Sequence, residues 1–160
     1  MATVNDEDPL YQIDISRLPA LRHLNVLRCI IEYHPFGAPQ FPSSLCQLLK
    51  LRGPKSYIQT ISVHIEYEDV ELGTEQGLFL PDRGWADFDV ILADENYGAL
   101  EKVTLYLRIG FIWWNPGLRY MHAERIKLLM DEVFPAVKAF GRVEMDFVID
   151  IYGNDETSAQ

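Results

Sequence analysis

Three stretches of the chain alternate apolar and polar residues with a period of two: Ile61 to Tyr67, Val103 to Ile109 and Val143 to Ile149. Successive strand side chains point to opposite faces of a sheet. Each stretch therefore predicts a strand buried on its odd-numbered face and wet on its even-numbered face. Strands of a parallel sheet covered by helices on both sides are usually apolar throughout. Alternation in strands that each follow a helical stretch predicts a helix layer on one side only.

The intervening segments carry the helical signals. Pro42 and Ser43 predict a helix start, with the serine capping free N–H groups. Leu45, Leu48 and Leu49 then share a face until Gly53-Pro54. A second helix over roughly 85–94 places Trp85, Phe88, Ile91 and Leu92 near one stripe. In a third, Ile126, Leu129, Met130, Val133, Phe134 and Val137 recur at core-facing spacing, and Pro135 ends or kinks it. Strands are predicted over 24–33, 58–68, 102–112 and 142–149, with a short edge strand over Tyr11 to Ile15. Loops cover 34–40 and 69–84, and Asn115-Pro116-Gly117 marks a turn.

The strands recur at similar intervals: 35 residues from Val26 to Ile61, 42 to Val103 and 40 more to Val143. Each interval holds one loop and one helix. A strand, a helix and a parallel neighbouring strand form a crossover unit of nearly invariant right hand. Repeating that unit with its helices on one side predicts an α/β fold. It is a short, leucine-rich-repeat-like solenoid with a curved, mainly parallel sheet of four or five strands. Residues 10–152 form its single domain, between disordered tails at 1–9 and 153–160.

The chain has 160 residues, 48% of them hydrophobic, which suits one globular domain. Its net charge of −10 disfavours nucleic acid and anionic membranes as partners, since both are bound through Lys and Arg. Two cysteines, Cys29 and Cys46, are too few for a disulfide scaffold or a Cys-rich zinc site and read as small, reduced core residues. The first residues lack a signal-peptide pattern, and no apolar run reaches membrane-spanning length. The expected location is cytoplasmic or nuclear.

Several motifs carry a resemblance. They are Leu18-Pro19-Ala20-Leu21-Arg22-His23-Leu24, the Trp85, Phe88, Asp89, Leu92 helix leading into Leu100, Val103 and Leu105, and the Phe134-Pro135 helix end followed by a strand. Over residues 13–150 the chain resembles the leucine-rich-repeat-like region of F-box and F-box-associated proteins of basidiomycete, mushroom-forming fungi. The resemblance implies a scaffold that recognises substrates in ubiquitin-ligase assembly. The chain departs from it in two ways: no F-box helical module is expected before Tyr11, and its repeats exceed the usual length of roughly 20–29 residues.

The wet strand faces supply the candidate site. They carry Ser62, His64, Glu66 and Glu68, then Thr104, Tyr106 and Arg108, then Glu144, Asp146 and Val148, with Asp150 beyond. In register these form one acidic strip suited to a basic peptide or protein segment. The same Glu66, Glu144 and Asp146 carboxylates would serve a small acidic hydrolase-like enzyme if a deep cleft enclosed them. A shallow open sheet favours recognition. His64 and Glu66 share a strand face but fall short of a metal site, and no glycine-rich phosphate loop occurs, so no cofactor or metal is predicted. His23, His34 and His122 read as surface or capping histidines. Trp113 and Trp114 adjoin at a strand end, where one ring would face solvent as a contact residue unless the loop buries both. Open end strands also allow a homodimer.

Overall fold

Four parallel strands lie in the order in which the chain makes them, β1-β2-β3-β4. This computed structural model describes residues 15–32, 41–50, 55–70, 83–111 and 119–153. The strands are β1 (His23–Glu32), β2 (Thr60–Val70), β3 (Lys102–Phe111) and β4 (Glu144–Gly153). Between them run α1 (Ser43–Leu49), α2 (Arg83–Leu92), α3 (Arg119–Val133) and α4 (Pro135–Phe140), with short 3-10 turns at Ile15–Arg17 and Glu95–Tyr97. The fold is α/β.

The alternation works as the period of two requires. Ile61, Val63, Ile65 and Tyr67 on β2, and Val103, Leu105, Leu107 and Ile109 on β3, are buried in one apolar cluster with α1, α2, α3 and α4. The helices therefore pack on the odd-numbered face. Sequential parallel order advances every crossover in the same direction, which with right-handed connections puts the helices on that one face.

Aromatic rings tie the helices together. Phe41 stacks on Phe88 at 4.4 Å and meets Trp85 edge-on at 4.6 Å. Phe134 meets Trp85 and Phe88 edge-on at 6.1 and 6.0 Å and lies 5.8 Å from Phe147 of β4. Edge-to-face contacts of this kind add about 0.5–1.5 kcal/mol each beyond area burial. Phe134 occupies the break that Pro135 imposes, because proline lacks the N–H needed to continue α3. The new helix start is capped from across the core: the Asp89 carboxylate accepts from Ala136 N at 2.8 Å and Val137 N at 2.9 Å. Gly141, at φ 65°, then ends α4 in the left-handed conformation that glycine adopts without Cβ strain.

Some expectations need correction. Ser43 does not cap α1; Pro42 holds the cap position with no side-chain bond, and Ser43 is already helical. The predicted edge strand over Tyr11 to Ile15 lies outside the described residues except for Ile15, which begins a 3-10 turn. β4 starts at Glu144 and continues to Gly153, longer than 142–149. His122 is buried, not a surface or capping group. Residues 1–9, His34 and the loop at Asn115-Pro116-Gly117 lie outside the described residues.

Candidate open-face site

Cross-strand register turns the even-numbered face into rows running across the strands. In β2 and β3, Ser62 pairs with Thr104, His64 with Tyr106 and Glu66 with Arg108. Continuing to β4, Thr104 pairs with Asp146, Tyr106 with Val148, Arg108 with Asp150 and Gly110 with Tyr152. On β1 the register shifts between Val26 and Cys29, which leaves Leu27 and Arg28 opposite His64. Leu27 follows the core-packed Val26, so strand alternation turns it to the open face, where it is 60% exposed.

One row is therefore apolar and aromatic: Leu27, His64, Tyr106 and Val148. The His64 and Tyr106 rings stack at 4.1 Å with 14° between their planes. Leu27 and Val148 are exposed large hydrophobics at the two ends. Together with Glu66, Arg108 and Asp150 this row lines an open groove of about 370 Å³.

The charged row beside it is internally paired. Arg108 Nη1 donates to Glu66 Oε1 at 3.0 Å, and Arg108 Nε stands 3.8 Å from Asp150 Oδ2. Tyr152 OH donates to the same Glu66 Oε1 at 3.3 Å, and the Arg108 guanidinium sits 4.4 Å over the Tyr152 ring. Burial, and then the Glu66 charge, push the Tyr152 phenol up to about 12, while Arg108 pulls it the other way. On the opposite flank Lys102 Nζ reaches Glu144 Oε1 at 3.1 Å and Asp146 Oδ2 at 3.6 Å. The hydrogen bond and charge of Glu144 raise the Lys102 pKa above its ordinary value.

This geometry revises the expected acidic strip. Glu66 is buried against Arg108 and Tyr152 instead of being solvated. Its register row holds Asp150, while Asp146 stands in the row of Thr104. Glu144 and Asp146 meet at Lys102, and Glu66 stands apart from them beside Arg108. Glu68 is half-buried on β2. Gly110 and Tyr152 carried no signal as site residues, because the sequence does not show that one ring lies over the other residue. Trp113 and Trp114 lie outside the described residues.

Among the described residues, no three His, Cys, Asp or Glu side chains gather as a metal site, and no helix is long and apolar enough to cross a membrane. Compared with known proteins, the chain matches no protein-family model, no curated protein and no solved structure.

Proposed function

We propose that the chain is a non-enzymatic recognition module whose open sheet face binds an extended protein or peptide segment of mixed apolar and basic character. The row Leu27, His64, Tyr106, Val148 carries this reading. It exposes apolar and aromatic surface across the full width of the sheet, with carboxylates on both flanks. Aromatic anchors beside a charged rim are the usual make-up of a binding surface. The sequential parallel strand order supports a leucine-rich-repeat-like solenoid, an architecture that presents its sheet to partners. Substrate recognition of the F-box type is the use that the sequence resemblance favours.

A peptide-display library panned against the wild-type chain tests the proposal, with Leu27→Ser/Tyr106→Ala as the counter-target. The enriched peptides are expected to combine a bulky apolar residue with Lys or Arg and to lose at least about tenfold in affinity on the double variant. Peptides that bind both proteins equally would assign recognition to another surface.

A further inference from the structure

β4 is an edge strand: among the described residues it pairs with β3 and with no other strand. Its backbone parity is fixed. The Glu144 amide donates to the Glu101 carbonyl at 2.8 Å, and the register against β3 runs without a shift to Gly153. In a parallel ladder both polar groups of a residue point to one side, and the side alternates along the strand. Glu144, Asp146, Val148, Asp150 and Tyr152 therefore turn their backbone groups to β3. Met145, Phe147, Ile149 and Ile151 turn theirs outward, where no strand among the described residues meets them.

The two sides of this edge differ in character. On the core side Phe147 and Ile151 are buried, while Met145 and Ile149 are only partly covered. On the open side Glu144, Asp146 and Asp150 keep 68%, 48% and 52% of their side-chain surface exposed. Their partners Lys102 and Arg108 come from β3, the inner neighbour.

We propose that the outer edge of β4 accepts a fifth strand: an extended peptide segment in which Lys or Arg alternates with aliphatic residues. Main-chain bonds to the outward groups of Met145, Phe147, Ile149 and Ile151 hold it. Its basic side chains stand beside Glu144, Asp146 and Asp150, and its aliphatic ones pack beside Met145 and Ile149. The same charges oppose a second copy of the chain. Antiparallel self-pairing centred on Val148 sets Asp146 against Asp150, and pairing centred on Phe147 sets Glu144 against Asp150. Like charges directly opposite each other are destabilising, and a net charge of −10 acts in the same direction. The edge uses backbone groups of odd-numbered residues, so this proposal stands apart from the open-face groove.

Amide hydrogen exchange followed by NMR tests it on the unaltered protein. The probes are a peptide alternating Lys and Val, a scrambled peptide of the same composition, and one alternating Glu and Val. The alternating basic peptide is expected to slow exchange at the Phe147 and Ile149 amides by about tenfold or more at saturation, and the other two to leave it unchanged. Ile149→Pro removes one outward N–H without touching the ladder to β3 and is expected to weaken binding by at least about tenfold. Leu27→Ser/Tyr106→Ala is expected to leave edge binding intact. No slowing at Phe147 and Ile149, or equal slowing by the acidic peptide, overturns the proposal. So does protection lost in the Leu27/Tyr106 variant, which moves the peptide to the groove. Protection without any peptide, in a chain that sediments as a dimer, makes the occupant a second copy and overturns it equally.

Discussion

The Tyr152 ring lies across Gly110. A Cβ placed on Gly110 would stand 2.8 Å from Tyr152 Cζ and 2.9 Å from its hydroxyl oxygen. The two are register partners on neighbouring strands. Because Gly110 has no side chain, the ring can lean over β3 and place its hydroxyl on Glu66 of β2. One hydrogen bond thus ties β4 to a strand with which it does not pair.

Gly110→Ala is expected to swing the ring outward and to break both the Glu66 hydrogen bond and the stacking under Arg108. The cost should be about 1–2 kcal/mol, measured by urea unfolding. Spectrophotometric titration should show the Tyr152 phenol falling from about 12 towards its ordinary value. The wild-type shift also sets a pH dependence. An unfolded tyrosine ionises near 10, so between about 10 and about 12 the folded chain keeps a proton that the unfolded chain has lost. Stability should therefore be unaffected by Tyr152 below pH 10 and fall as pH rises above it. Tyr97, raised by burial and by the Asp94 charge, adds to the same slope. Tyr152→Phe should make the fall between pH 9 and 11 shallower without removing it.

Asp89 sets the start of α4 from within α2. Its carboxylate is buried and accepts two backbone N–H bonds. Asp89→Ala would leave both donors without that acceptor inside the core. The expected loss is about 2 kcal/mol, with Asp89→Asn losing less because it retains an acceptor oxygen. Equal unfolding midpoints for wild type and Asp89→Ala would show that the break at Pro135 holds without the cap.

The sequence showed most of what local periodicity controls. Odd and even strand positions were separable because burial follows a period of two, and Pro135 marked the helix break because proline cannot donate. What depends on pairing between distant strands was not legible. Nothing in Glu66 itself shows that register sets it against Arg108 and Asp150, or that it is buried. Asp89 lies between Phe88 and Val90 and looks like the polar side of an amphipathic helix. Its capping role arises only when α2 packs against α4. Leu27 alternates with the core-packed Val26 and so faces out, but its apolar side chain gave no sign of an open-face position.

His122 was expected at the surface and is buried, 5.9 Å from the Phe111 ring, with neither ring nitrogen hydrogen-bonded among the described residues. Burial, and then the Arg125 charge, lower its pKa. The unfolded chain therefore takes up a proton near pH 6.5 that the folded chain takes up only at lower pH. Stability from this residue should be complete above pH 6.5 and decline as pH falls below it. Melting temperatures at pH 7.5 and 5.5 should differ more for wild type than for His122→Phe. Identical pH responses would remove His122 as the cause.

Glu66 and Asp150 flank the same guanidinium but should contribute unequally. Asp150 is half-exposed and 3.8 Å from Arg108 Nε, where solvent screens the pair and side-chain ordering offsets the attraction. Glu66 keeps only 9% of its side-chain surface exposed and accepts from both Arg108 and Tyr152. Removing Glu66 leaves the buried Tyr152 hydroxyl without that acceptor, whereas half-exposed Arg108 regains water, so Glu66→Ala should cost about 1–2 kcal/mol and Asp150→Ala less than about 0.5 kcal/mol. Arg108→Met should also be costly, because it leaves a buried carboxylate without its nearest cation. Replacing both members, Glu66→Gln with Arg108→Met, should recover part of the loss, since no charge then stays buried. A double-mutant cycle in urea measures that recovery. A coupling near zero, or equal costs for Glu66→Ala and Asp150→Ala, would mean that burial of Glu66 does not set the strength of this row.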